Sequence, residues 1–314
     1  MANLNNVEDS IKQKDRKLEI SFDSIKNDNI CGIVKEFYKI LSSDKNIDLT
    51  NFKNNLKTLK IKSIKACEGE VGISVDALYD YYNNTIYYGL LSKTRVLSHE
   101  LLHMASTVYD DNNKDVKYMG FGQNKHNFEI GMGLTEAYTE LLSKRYFGSE
   151  ENDKVVCDSY VVEMAFANAL EKIIGKKEML KYYFTTDLKG LINELKKYNY
   201  IEEVMKFIKN VDEINNDTLY RNYLSKNDYR KIIKDLFRFI VLTYSNKLKY
   251  DFCTNKISEK EFYKKVICFA NELNNYEYQR YGKKYAYALL TKKRLLKIIK
   301  DTFGEYKIVE YSKC

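Results

Sequence analysis

The stretch Lys93-Thr-Arg-Val-Leu-Ser-His99-Glu100-Leu-Leu-His103-Met-Ala-Ser106 decides how the rest of the chain is read. Its apolar residues recur at three- and four-residue intervals, which predicts a helix. On a helix, positions i and i+4 lie one above the other on a single face. His99 and His103 stand in that relation, so both imidazoles can reach one metal ion, and the pattern reads as a zinc site. Glu100 is one residue along and can lean over an open coordination position, where a carboxylate serves as general base toward a metal-activated water. Leu97, Leu101, Met104 and Val108 fall on the opposite side and are expected to anchor the helix in the core. The chain has only three histidines, so two of them in one motif are not the product of a histidine-rich background.

A catalytic zinc needs three protein ligands and an open position, so a second element must bring a carboxylate, a histidine or a thiolate. Downstream lies Gly131-Met-Gly-Leu-Thr-Glu136-Ala-Tyr-Thr-Glu140-Leu-Leu-Ser-Lys-Arg145, again helical in spacing, with Glu136 and Glu140 at i and i+4. With His99-Glu100-Leu-Leu-His103 before it, this helix resembles the gluzincin class of zinc metallopeptidases, the thermolysin-like group, over roughly residues 72–146. The resemblance implies that Glu136 is the third ligand and that Glu140 accepts a hydrogen bond from the far nitrogen of a ligand histidine, fixing its tautomer. It also implies one Zn2+ per chain, a peptide or protein substrate, and an α+β, zincin-like fold.

Two other readings use the same histidines. In one, the chain is a non-catalytic binding or scaffold protein on a zincin fold with a structural metal. Glu100 separates that reading from the enzyme, because a structural site has no use for a carboxylate beside an open position. In the other, a deformylase-like site, Cys67 replaces Glu136, but Cys67-Glu-Gly-Glu70 does not reproduce the usual order of that motif.

Bulk composition narrows the class. With 44% apolar residues and no low-complexity tract, 314 residues can bury a substantial core. The formal charge is +8, yet 44 of the 52 basic residues are Lys. Lysine excess together with 28 Tyr and no Pro or Trp is what an A/T-rich coding sequence produces. It is weak support for nucleic-acid binding, which favours Arg at base contacts, and a solvated lysine surface is the simpler reading. Six scattered cysteines form no framework. The first twenty residues show no basic n-region or apolar h-region, so no secretory signal is expected, and the most apolar segment, 237–244, is too short to span a bilayer. A cytoplasmic protein with reduced thiols is expected; the sequence is silent on oligomeric state.

Residues 1–16 read as disordered. Residues 17–150 read as a zincin-like subdomain with the metal site, and 151–314 as a helical subdomain forming the other side of the cleft. Strands are expected at 17–23, 59–64 and 71–75, and helices at 30–41 and after Thr50. The aromatic runs on either side of Asn83-Asn84 predict a hairpin over 77–89. Read from its residues that hairpin is plain core; by the family resemblance it is an edge that pairs with extended substrate. Residues 106–129 read as a long connection carrying His126, a candidate donor to the oxyanion of a tetrahedral intermediate. Tyr160 is another, although a short antiparallel turn would set it far from Glu136. Further helices are expected at 160–174 ending at Gly175, from Thr186 or Asp187 to Leu195, at 201–208, at 228–244, after the capping box Ser258-Glu-Lys-Glu261, and at 285–299.

Overall fold

The computed structural model describes residues 28–63, 77–89, 94–109, 116–125, 128–148, 160–220, 223–275, 293 and 297. Over these the chain is α+β, a mixed N-terminal sheet with a hairpin followed by a mostly helical C-terminal half. Helices α1 (Asp28–Ser42) and α2 (Thr50–Leu56) precede strands β1 (Lys60–Ser63), β2 (Ala77–Asp80) and β3 (Thr85–Tyr88). The sheet order is β1-β3-β2, with β1 parallel to β3 and β2 antiparallel to it, pairing Tyr79 with Ile86. Among the described strands β2 is therefore an edge.

The hairpin turn spans four residues rather than two, and Asn84 takes the positive φ (+48°) that asparagine tolerates. Asp80 Oδ1 accepts the amide N–H of Tyr82 at 2.9 Å and of Asn83 at 3.2 Å, which closes the turn. The Asn84 side chain then donates to the Asn55 carbonyl at 2.7 Å, tying the hairpin to α2.

Helix α3 (Thr94–Ala105) carries the histidine motif. Leu97, Leu101 and Met104 are buried as their spacing predicts, each leucine contributing about 1.5–3 kcal/mol. Val108 is not part of this helix. The chain leaves α3 after Ala105 because the hydroxyls of Ser106 and Thr107 donate back to the His103 carbonyl, at 3.2 and 2.8 Å, and satisfy the helix end. Val108 then sits half-buried in a strand.

The expected long connection is instead a four-stranded antiparallel meander: β4 (Thr107–Tyr109), β5 (Val116–Met119), β6 (Gly122–Lys125) and β7 (Phe128–Ile130). Its β5–β6 turn is tight, and Gly120 (φ +57°) allows it, since a Cβ there would come within 2.8 Å of the Thr135 and Tyr183 side chains. That turn drives Phe121 into the core against Tyr138 and Tyr183.

Beyond the meander lie α4 (Met132–Phe147), α5 (Val161–Ile174), α6 (Lys176–Phe184), α7 (Leu188–Leu195), α8 (Ile201–Tyr220), α9 (Lys226–Cys253) and α10 (Glu259–Asn275). Helix α4 is central, packing against α3, α5 and α8. Its surroundings are buried on nearly every side, and the buried Tyr138 hydroxyl donates to Glu171, which Arg145 also binds. Asp187 caps α7 through the Gly190 amide at 2.7 Å. At α10, Glu261 accepts the Ser258 amide at 2.8 Å and its own amide donates to Ser258 Oγ at 3.3 Å, the reciprocal pair a capping box requires. No helix among the described residues is long and apolar enough to cross a membrane. The segment 1–16, the strands expected at 17–23 and 71–75, Cys67, His126 and nearly all of the helix expected at 285–299 lie outside the described residues.

Candidate metal centre

Helices α3 and α4 run antiparallel, and a ladder of charged and imidazole side chains fills the space between them. Arg95, His99 and His103 project from α3 at four-residue steps, and Glu140 and Glu136 meet them from α4. Nε2 of His99 and Nε2 of His103 are 3.1 Å apart, and Glu136 Oε2 lies 3.4 Å from the first and 3.3 Å from the second. A tetrahedral zinc with bonds of about 2.0–2.1 Å requires donor–donor edges of about 3.3–3.4 Å. The three donor atoms already form the face of such a tetrahedron, and the set of two imidazole nitrogens and one carboxylate oxygen can chelate a metal.

Electrostatics point the same way. Burial alone pushes the His99 imidazolium down, but the hydrogen bonds it donates to Glu136 and Glu140 outweigh this and hold the group well above its ordinary value. Burial pushes Glu136 up, and the His103 and His99 rings reverse this and keep its carboxyl far below the usual range. Both shifts say that the middle of the cluster is most stable with a positive charge in it, which is the condition for binding a cation.

The orientation of His99 is fixed from behind. Its Nδ1 lies 2.9 Å from Glu140 Oε2, so once the ring gives up its second proton, as a metal requires, the N–H stays on Nδ1 and Nε2 turns its lone pair toward the centre. Glu140 is in turn gripped by Arg95 through its other oxygen, both side chains being buried. Burial raises the Glu140 carboxyl, yet the His99 hydrogen bond and the nearby charges of His99 and Arg95 lower it overall. Nδ1 of His103 has no partner among the described residues, so His99 is the more firmly oriented of the two.

Glu100 does not join the three donors. It is buried, and its Oε2 accepts the backbone N–H of Tyr79 at 2.8 Å, on the side of β2 away from β3. Burial pushes its carboxyl above the ordinary range, partly offset by the two histidines. The motif helix is thus stitched to the hairpin through the carboxylate that the sequence singles out.

Tyr160 lies at the centre, contrary to the expectation that a short turn would carry it away. Its ring stacks over His99 at 6.4 Å between centroids, with 15° between planes. Burial and then the charges of Glu136 and Glu100 push its hydroxyl well above the ordinary value. The connection from α4 to α5 is not short: residues 149–159 intervene, enough chain to return the start of α5 to the middle of α4. Tyr160 adopts left-handed backbone angles (φ +61°), a conformation costing a non-glycine residue about 1–2 kcal/mol and common where a site fixes a side chain. Sequence reasoning also passed over Arg95, although its place four residues before His99 puts it on the same face.

No protein-family model, curated protein or solved structure matches the chain. The geometry itself is specific: His99-Glu100-Leu-Leu-His103 on one helix, joined by Glu136 from a second, has the active-site arrangement of a thermolysin-like gluzincin and the architecture of a zinc-metallopeptidase site.

Proposed function

We propose that the chain is a zinc-dependent peptidase in which His99, His103 and Glu136 hold one Zn2+ and Glu100 is the general base. In that ligand set of His99, His103 and Glu136 a zinc would supply Lewis acidity toward a scissile carbonyl and an attacking water. Glu100 takes the proton of the attacking water and can return it to the leaving amine, as a carboxylate does in general acid–base catalysis. The observation that carries this reading is the position of Glu100: outside the donor triangle, close enough for the charges of His99, His103 and Glu136 to act on its carboxyl, and anchored by the Tyr79 N–H. The Tyr79 hydrogen bond is a structural use that a glutamine would serve equally well, so the ionisable carboxylate at this position is what favours catalysis over a metal serving structure alone.

Peptide is the substrate class favoured by the neighbouring strand. Among the described strands β2 is an edge beside Glu100, and an extended peptide can add to such an edge through main-chain hydrogen bonds at positions other than the Tyr79 N–H that Glu100 takes. Helices α5–α10 are read as the far wall of the cleft, with Tyr160 as their contribution beside the metal. This keeps the division into a metal-binding part ending near residue 150 and a helical part after it.

The test is metal removal. Protein purified without added metal is expected to contain about one zinc per chain and to cleave members of a diverse peptide library. Chelator treatment should abolish cleavage, and added Zn2+ should restore it. Cleavage that survives complete removal of zinc would refute the reading.

Glu140 is assigned the support of His99. Glu140→Gln keeps an acceptor but loses the charge, and is expected to weaken zinc affinity by about 10–100-fold in a competition titration. Glu140→Ala also removes the buried partner of Arg95, so it should cost about 3 kcal/mol of stability in addition. Unchanged zinc affinity in both variants would return Glu140 to a purely structural pairing with Arg95.

A further inference from the structure

The helix that carries Glu136 has no cap of its own. Gly131 precedes α4 with φ +80°, no side chain caps it from that position, and its first turn holds no acid. Its amide donors are met from α8 instead: Asp212 Oδ2 accepts the N–H of Gly131 at 2.9 Å, and Oδ1 that of Gly133 at 2.8 Å. This approach depends on the bare backbone of Gly133, where a Cβ would lie 2.6 Å from the Val211 carbonyl oxygen.

We propose that Asp212 is a positioning residue for the metal centre: its two carboxylate oxygens pin the first turn of α4 and so fix where Glu136, in the next turn, meets the two histidines. This rests on the reading of Glu136 as a metal ligand. A carboxylate satisfies both amides at once and complements the positive end of the helix dipole. The neutral acid does not, because protonation converts one oxygen from acceptor to donor and one amide loses its partner.

That conversion falls in an accessible range. Burial raises the Asp212 carboxyl to about 6, against the two amide hydrogen bonds, and the charges of Glu129 on β7 and of Glu213 beside it on α8 act in the same direction as burial. Helix α4 faces it with backbone amides. Since the folded-state value is raised, the folded chain binds this proton more tightly than the unfolded chain. Stability from this group therefore grows as pH falls through 6. Loss of metal affinity over the same interval would not be unfolding.

The experiment measures zinc affinity of the full-length chain by chelator competition, wild type against Asp212→Asn, at pH 7.5 and 5.5. At pH 7.5 the variant is expected to bind Zn2+ about fivefold more weakly, the equivalent of one lost helix cap, with a thermal midpoint unchanged or raised. At pH 5.5 the ratio should move toward one, because the wild-type Asp212 is then mostly protonated, while protonation of the histidines cancels between the two chains. A second measurement needs no variant. Hydrogen-exchange protection of the Gly131 and Gly133 amides in the wild type should fall between pH 7 and 5 while the middle of α4 stays protected.

Equal zinc affinity of the two folded chains at pH 7.5 overturns the inference alone, as does a ratio that does not change with pH. Undiminished amide protection at pH 5 overturns it if the variant fails to fold. A wild type that takes up no zinc overturns the peptidase reading, and this inference with it.

Discussion

Glu100→Gln is expected to retain zinc and the melting temperature of the wild type while losing peptide hydrolysis by at least about 10²–10⁴-fold, the range for removal of a general base. The structure supports a clean substitution. Glu100 is buried but is not one of the three donor atoms, so its replacement leaves the metal set unchanged. The glutamine carbonyl can still accept the Tyr79 N–H that the carboxylate accepts at 2.8 Å, which keeps the helix attached to β2. Only the ability to take up a proton is lost. Chelator-treated wild type serves as the blank, and equal cleavage by wild type and variant would sink the mechanism.

The second large effect concerns the metal itself. His99→Ala and Glu136→Ala should each reduce zinc content from about one equivalent to a small fraction, because two remaining donors cannot define a tetrahedral site. Glu136 is the more informative of the two. It comes from a different helix, and its Oε2 completes a triangle whose sides are all between 3.1 and 3.4 Å. Elemental analysis of protein purified without added metal reads the result directly. A full equivalent of zinc in both variants would mean that the ligand set is wrong.

The two histidines and two glutamates of the centre were legible in the sequence because helical periodicity is a local signal. His99 and His103, and Glu136 and Glu140, announce shared faces through i, i+4 spacing, and both pairs lie on helices as expected. The fold between them was not legible. Strands of three or four residues such as Gly122-Gln-Asn-Lys125 show no apolar alternation, and their hydrogen bonds come from neighbouring strands rather than from their own composition. Helix α8 runs to Tyr220 rather than ending at 208, since Val211 and Ile214 continue the buried stripe through a run rich in Asn and Asp. The cap that Asp212 gives Gly131 and Gly133 arrives from about 80 positions away, and no window along the chain could show it. Tyr160 was misplaced for a related reason: the path of a connection is decided by where its ends pack.

The meander between α3 and α4 also works as a ruler. It begins directly after α3, where Gly120 N–H donates to the Ser106 carbonyl at 2.9 Å, and it delivers the chain to α4 through Ile130 and Gly131. The offset of Glu136 against His99 and His103 along the two helix axes is therefore set by strand register together with the anchoring of the first turn of α4. Because a shift of one residue in a strand reverses which face each side chain occupies, adding or deleting a residue between Val116 and Ile130 would rotate the entry to α4. The glutamate would turn away from both imidazoles without any donor having been mutated. Such length changes should be as damaging to the centre as the loss of a ligand, although every residue they touch lies outside it.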